Sequence, residues 1–290
     1  MANLAKSLPT NIAGDFFVDA TCIDCDTCNW LAPASFDDGG NGHSRVHRQP
    51  RDARERLRAE MALLACPVGA IGTHAKHDLA HARAAFPDEI ARDVFHLGYH
   101  AESSYGAAAY FLRRSDGNVI VDSPRFTAPV VDAIERMGGA RYMFLTHIDD
   151  VADHARFREH FGCERILHAA DISPGTRDVE IKIEGEAPVA LAPDLLIVPV
   201  PGHTRGSACL LSDETVLFTG DHLAWSPELE QIYGFRDACW FDWGALLRST
   251  EKLAAQRFEW ILPGHGRRCH FPAAQMRAEM QRCIAWMKAN

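Results

Sequence analysis

Pro201-Gly202-His203-Thr204-Arg205-Gly206-Ser207 closes the apolar run at residues 195–203 with a histidine in a turn rich in Gly and Pro. A run this short and this apolar reads as a strand buried on both faces. Working outward, the same pattern recurs at 119–122, 142–147, 165–168, 216–221 and 260–265, each run ending in Asp or His. Helical spacing fills the intervals at 128–137, 153–161, 244–256 and 272–288. Strands alternating with helices predict a layered α/β architecture with chemistry at the strand ends.

Four of these ends carry metal-ligand chemistry. They are Thr146-His147-Ile148-Asp149-Asp150-Val151-Ala152-Asp153-His154, the turn at 201–207, Gly220-Asp221, and Leu262-Pro263-Gly264-His265-Gly266. Imidazole and carboxylate suit a borderline or hard divalent cation, and turns of Gly and Pro let strand ends approach one ion closely. A single buried histidine is ordinarily just hydrogen-bonded, but four such motifs in this order are not explained by packing.

On these motifs the chain resembles the metallo-β-lactamase superfamily over residues 93–270. The resemblance implies an αββα sandwich with one or two metals between its sheets. It makes His147 and His203 ligands of a first metal, Asp221 a bridging carboxylate and His265 a ligand of a second. Asp122 matches a family position that is more structural than catalytic.

The first motif departs from the family pattern H-x-H-x-D-H. If two residues are inserted, Asp149 replaces the second histidine while Asp153 and His154 serve the second metal. Asp149 or Asp153 would then orient the nucleophile. Without an insertion, Val151 and Ala152 occupy those places, leaving His147, His203 and Asp221, the 2-His-1-carboxylate face of mononuclear non-haem iron. The dinuclear register is adopted because it explains the Asp-His pair, against the alternative that Asp153 merely caps a helix. Asp150 is a stand-in for Asp149. His168 ends a strand near the expected site, and His222 reads as a neighbour of the ligands. Aromatic residues between 223 and 243 read as core more readily than as pocket wall.

The amino-terminal quarter is different. Cys22, Cys25 and Cys28, with a distant Cys66-Pro67, have the spacing that wraps one 4Fe-4S cube, whereas a structural zinc site would show two separated pairs. With Val18-Asp19, Ala32-Pro33 and the stretch from Cys66 to Ile71, residues 10–75 resemble the single-cluster bacterial ferredoxins. That resemblance implies low-potential one-electron transfer. The expected division is a ferredoxin-like α+β domain with linker at 1–85 and a sandwich domain at 86–290.

The chain of 290 residues is 47% hydrophobic, enough for two cores, and its net charge of −9 argues against a nucleic-acid surface. No apolar run is long enough to span a bilayer and no signal peptide opens the chain, so a cytoplasmic protein is expected. Cys163, Cys209, Cys239, Cys269 and Cys283 read as reduced, buried thiols. A basic stretch at 45–58 reads as the wet face of a helix whose apolar stripe is Ala53, Leu57, Met61 and Leu64, with docking of a redox partner protein as the alternative. The expected function is metal-dependent hydrolysis of a small ester, thioester or phosphodiester, with zinc or iron in the sandwich. The alternative is a non-haem iron oxidoreductase fed by the cluster, resembling flavodiiron proteins or persulfide dioxygenases. A third reading is a non-catalytic electron carrier.

Overall fold

The computed structural model describes residues 2–290, which fall into two compact units: 2–118 with 123–140, and 119–122 with 141–290. The boundary expected near residue 85 lies inside the first unit. That unit opens with β1 (Phe16–Val18), α1 (Thr27–Leu31), β2 (Phe36–Asp38), β3 (Ser44–Val46), α2 (Ala53–Ala65) and β4 (Ile71–Thr73). Strands β1 and β4 pair antiparallel, as do β2 and β3. A short α3 (Ala80–Ala84) then precedes the antiparallel strands β5 (Asp88–Ala91), β6 (Val94–His96) and β7 (Tyr110–Leu112). Helix α4 (Ala128–Arg136) completes the unit.

Helix α2 corrects the expected stripe. Its buried face is Ala59, Met61, Ala62 and Ala65, while Ala53 is exposed and Leu57 and Leu64 are half-buried. The small alanines let the helix lie close to its neighbours, and Asp52 caps it by accepting from the Glu55 N–H at 2.8 Å. Most of the basic stretch is committed internally: Arg45 pairs with Asp37, Arg48 and Arg51 with Glu55, and Arg58 with Asp88.

The second unit holds all six expected strands of the sandwich. In its first sheet β8 (Val119–Val121), β9 (Tyr142–Phe144), β10 (Glu164–His168) and β11 (Ile181–Ile183) run parallel in that order. These strands are nearly all buried, as parallel strands covered on both faces must be. Helix α5 (His154–Phe161) packs on β10 with Phe157 fully buried.

The second sheet has the order β12 (Val189–Ala192), β13 (Leu195–Pro199), β14 (Ala208–Ser212), β15 (Val216–Gly220), β18 (Trp260–Pro263), β19 (Cys269–His270). A hairpin of β16 (Ala224–Ser226) and β17 (Gln231–Tyr233) follows β15. Helices α6 (Trp243–Leu253) and α7 (Ala273–Ala289) cover this sheet through Leu246, Leu253, Met276, Met280 and Met287, packed with Val198, Leu217 and Ile261. Each buried aliphatic side chain of this kind contributes about 1.5–3 kcal/mol. The layers run helix, sheet, sheet, helix. Among the described residues no helix is long and apolar enough to cross a membrane.

Candidate metal centre and cluster-binding loop

The site of the second unit is assembled from loops that follow strands. His147 lies just beyond β9, His203 beyond β13, Asp221 after β15 and His265 after β18. His147 and His203 meet edge to face with ring centroids 4.6 Å apart. Asp149 Oδ2 stands 3.8 Å from His147 Nε2 and 3.5 Å from His203 Nε2. Asp221 Oδ2 stands 3.8 Å from each of the same two nitrogens. A tetrahedral cation with bonds of about 2.0–2.2 Å separates its ligand atoms by roughly 3.3–3.6 Å. Each of the two carboxylate oxygens therefore stands from both imidazole nitrogens at nearly the separation of ligands on a shared cation, slightly relaxed.

Asp150 adds a third carboxylate. It is 1% exposed, and its Oδ2 lies 3.9 Å from His147 Nδ1. Ligand atoms of His147, Asp149 and His203, and again of His147, Asp150 and Asp221, lie within 4.8 Å of one another. His265 joins through Asp221: its Nδ1 donates to the carboxylate at 2.8 Å and its backbone N–H to Oδ1 at 3.1 Å. Gly264 is required here, because a Cβ would sit 2.7 Å from Asp150 Oδ2 and 2.9 Å from Asp221 Oδ1.

The donor set fits a cation. Both Asp150 oxygens, His147 Nε2 and His203 Nε2 are buried without a hydrogen-bond partner. Leaving each such group unsatisfied costs about 1–3 kcal/mol, more when it is charged. Burial pushes the Asp150 carboxyl well above the usual range, with Asp221 adding repulsion. It pushes the His147 imidazole down to about 4. The neighbouring His203 ring holds Asp149 low, while Asp221 is held low by His265 against the opposing effect of burial. A bound divalent ion resolves these costs together, since it takes the imidazole lone pairs and neutralises the carboxylates.

Outer partners fix the ligands. Thr146 donates both its N–H (2.8 Å) and its hydroxyl (2.9 Å) to Asp122 Oδ1, and the hydroxyl oxygen accepts from His147 Nδ1 at 3.0 Å. Asp122 itself takes the left-handed conformation, φ 57°, which Asp tolerates better than most residues. Its carboxyl is pushed up to about 7 by burial. His203 Nδ1 donates to the Ala238 carbonyl at 2.6 Å. In both rings Nε2 is thereby left as the lone-pair nitrogen facing the gap.

The structure does not bring Asp153 and His154 to this gap, which corrects the register adopted from the sequence. The chain bends at Ala152, at φ 27° and ψ −116°, and α5 begins immediately after. His154 Nδ1 lies 3.1 Å from Arg165 Nη1, and Asp153 pairs with Arg156 at 3.7 Å. A guanidinium beside His154 opposes a second cation there. Neither residue joins any group of three ligand atoms among the described residues. Asp149 and Asp150, consecutive in sequence, supply the carboxylates instead.

His168 is a capping residue, its Nδ1 accepting from the Ala170 N–H at 3.1 Å and its Nε2 donating to the Gly185 carbonyl at 2.9 Å. His222 turns toward α6, with Nε2 at 3.1 Å from the Thr250 hydroxyl. The aromatic segment divides in two. Trp225 and Trp243 pack on the core, whereas Trp240 is 67% exposed with its ring 6.1 Å from that of His203. Phe241, also exposed, lies under the Arg205 guanidinium at 4.8 Å. Backbone N–H groups of Trp240 and Phe241 donate to the His203 carbonyl, so this lip is anchored to a ligand.

Asp171 escaped the sequence reading. It accepts from the Ile148 N–H at 3.0 Å, the Thr204 hydroxyl at 2.5 Å and the Gly206 N–H at 2.7 Å, tying the His147 loop to the His203 turn. It sits in no recognisable motif.

In the first unit Cys22, Cys25, Cys28 and Cys66 line one small cavity together with Val18 and Ile71. Asp24 and Asp26 adopt φ 58° and 61°, which coils the loop so that thiols three residues apart face inward. Gly106 lets a second loop approach, because a Cβ there would be 2.9 Å from Cys25 Sγ. Burial pushes the Cys25 thiol up to about 12 and that of Cys28 well above its ordinary value. Four thiols converging on one cavity, Cys28 and Cys66 buried and Cys22 and Cys25 half-buried, fit a cluster, whose iron ions would hold them as thiolates. The other five cysteines are free thiols, with Cys163, Cys209 and Cys283 buried.

Comparison with known proteins agrees with both halves. Residues 18–73 match the family model of the 4Fe-4S single cluster domain of Ferredoxin I. The B3 metallo-β-lactamase BLEG-1 superposes with a TM-score of 0.51 at 18% identity, covering 67% of this chain and 99% of that one. The FIM-1 metallo-β-lactamase of Pseudomonas aeruginosa, in its mono-zinc form, gives 0.53 at 16%, covering 70% and 95%. The chain shares the metallo-β-lactamase fold, and its residues 18–73 are similar to a single-cluster ferredoxin domain. A hydroxyacylglutathione hydrolase of Xanthomonas campestris is 31% identical over 117 residues, 39% of this chain and 44% of the relative. One from Anaeromyxobacter dehalogenans is 37% identical over 99 residues, 32% and 38% of the two chains. The match thus spans less than half of each relative's length.

Proposed function

We propose that the sandwich unit is a metal-dependent hydrolase of ester or thioester bonds, carried on one chain with a one-electron carrier. The observation behind this reading is the quartet His147, His203, Asp149 and Asp221, with two imidazole nitrogens buried and unsatisfied. Likeness to hydroxyacylglutathione hydrolases supports the thioester class. A divalent cation bound there supplies Lewis acidity toward a carbonyl oxygen. The remaining work falls to the chain. Asp149, with its side chain 53% exposed, stands at the mouth where it can accept a hydrogen bond from an attacking water. Trp240 and Phe241 offer an apolar lip beside His203, against which an acyl group would lose water.

A second reading is supported by the donor set. Three carboxylates beside the imidazoles make a hard, oxygen-rich site that favours iron or manganese over zinc, and hydrolysis makes no use of an electron carrier. The deciding experiment is metal analysis of anaerobically prepared protein with an assay on acyl-glutathione thioesters. Turnover with the ferredoxin cluster kept oxidised supports hydrolysis. An iron site reduced through the cluster, with no thioester turnover, replaces it by the redox reading.

A further inference from the structure

We infer that Thr27 tunes the reduction potential of the cluster by donating its hydroxyl to Cys25 Sγ, and that His100 and Gly106 fix the direction of that bond. The inference rests on the four-cysteine cluster reading. Thr27 Oγ1 is 3.4 Å from Cys25 Sγ, 3.1 Å from His100 Nδ1 and 3.2 Å from the Gly106 carbonyl oxygen. One hydroxyl proton faces three neighbours, and the tautomer of His100 decides where it goes.

Gly106 O lies 2.6 Å from His100 Nδ1, and a carbonyl oxygen only accepts. His100 Nδ1 therefore carries a hydrogen, committed to Gly106 O, and offers the Thr27 hydroxyl no lone pair. That leaves the hydroxyl proton to Cys25 Sγ or Gly106 O. Gly106 O already receives the short imidazole bond. A cluster-bound sulfur carries negative charge, and hydrogen bonds to ionised acceptors are about twice as strong as neutral ones. The sulfur wins.

The arrangement is rigid. Thr27, His96 and His100 are all buried, and His96 Nε2 meets His100 Nε2 at 2.8 Å. Trp30 lies against both imidazoles, with ring centroids 5.0 and 5.8 Å away. The His100 ring therefore has no room to flip.

One-electron reduction adds one negative charge to the cube and its thiolates, so a donor to sulfur stabilises the reduced form more than the oxidised one. Removing the hydroxyl should lower the potential. The test is an EPR-monitored redox titration with dithionite on the full chain. Thr27→Val should lower the reduced fraction about tenfold at fixed applied potential, or about 59 mV for a one-electron couple. Thr27→Ser should stay at the wild-type value. His100→Ala frees both Thr27 Oγ1 and Gly106 O from the imidazole, so the hydroxyl proton is shared between Gly106 O and the sulfur and the potential should fall part of the way toward that of Thr27→Val.

An unchanged potential in Thr27→Val, or in Thr27→Ala if the valine variant lacks a cluster, overturns the assignment. So does loss of the cluster in both with retention in Thr27→Ser, which would place the hydroxyl in assembly. A wild-type protein without the 4Fe-4S EPR signal overturns the cluster reading itself, and is distinguishable from these outcomes.

Discussion

Thr146 donates its hydroxyl to Asp122 Oδ1 at 2.9 Å, and that bond decides which nitrogen of His147 faces the metal gap. With its proton committed, Thr146 Oγ1 accepts from His147 Nδ1 and presents Nε2 as the lone pair. Partners of this kind typically change metal affinity by about 10–100-fold when removed. Thr146→Val should weaken metal binding by that order in a chelator competition while the fold persists, because the backbone bond from Ala208 N–H to Thr146 O at 2.8 Å is kept.

Asp150→Asn tests the corrected register. The change keeps shape and removes a buried charge that lies among the ligand atoms. Elemental analysis should find metal content reduced in the sandwich unit. Asp153→Asn should retain wild-type content, and a loss there equal to that of Asp150→Asn would restore the register read from the sequence.

Gly264→Ala forces a methyl between Asp150 and Asp221. Overpacking of this sort costs about 1–3 kcal/mol. Denaturant unfolding should show that loss, together with weakened metal retention, since both carboxylates must move.

Trp240→Ala removes an exposed ring anchored beside His203. If the lip holds the apolar part of a substrate, KM for a thioester should rise several-fold with metal content and kcat little changed. A fall in kcat alone would instead make Trp240 a support for His203.

The ferredoxin unit should lose stability as pH rises. Burial alone would lower the pKa of His77, but hydrogen bonds from its ring to Asp15 (2.6 Å) and Glu60 (2.7 Å) outweigh that and raise it above 6.5. A raised folded-state pKa gives stability that is complete below about 6.5 and disappears as pH climbs through the folded value. The unfolding midpoint should therefore drop across that window in the wild type, and His77→Gln should flatten the drop.

Much of this was legible because strand runs and metal turns are local signals. Apolar runs ending at His147, His203 and Asp221 located the strands to within a few residues, and the C-x2-C-x2-C spacing located the cluster loop. What failed was register. Asp153 and His154 looked like a displaced ligand pair, yet nothing in the sequence encodes the bend at Ala152 or the Arg165 guanidinium, which lies eleven positions further on. Asp150 reads in the sequence as a stand-in for Asp149, whereas in the structure each of the two lies in its own group of ligand atoms with His147. The split of the aromatic segment into core and lip was equally invisible, since exposure depends on where the 235–242 loop is pinned.

Asp171 carries a broader consequence. Because one carboxylate clasps both histidine-bearing turns, the turns behave as a single mechanical part, even though each imidazole also has its own partner in Thr146 or Ala238. A binding event that swung one turn would drag the other along, so coordination is expected to be gained or lost in one step instead of ligand by ligand.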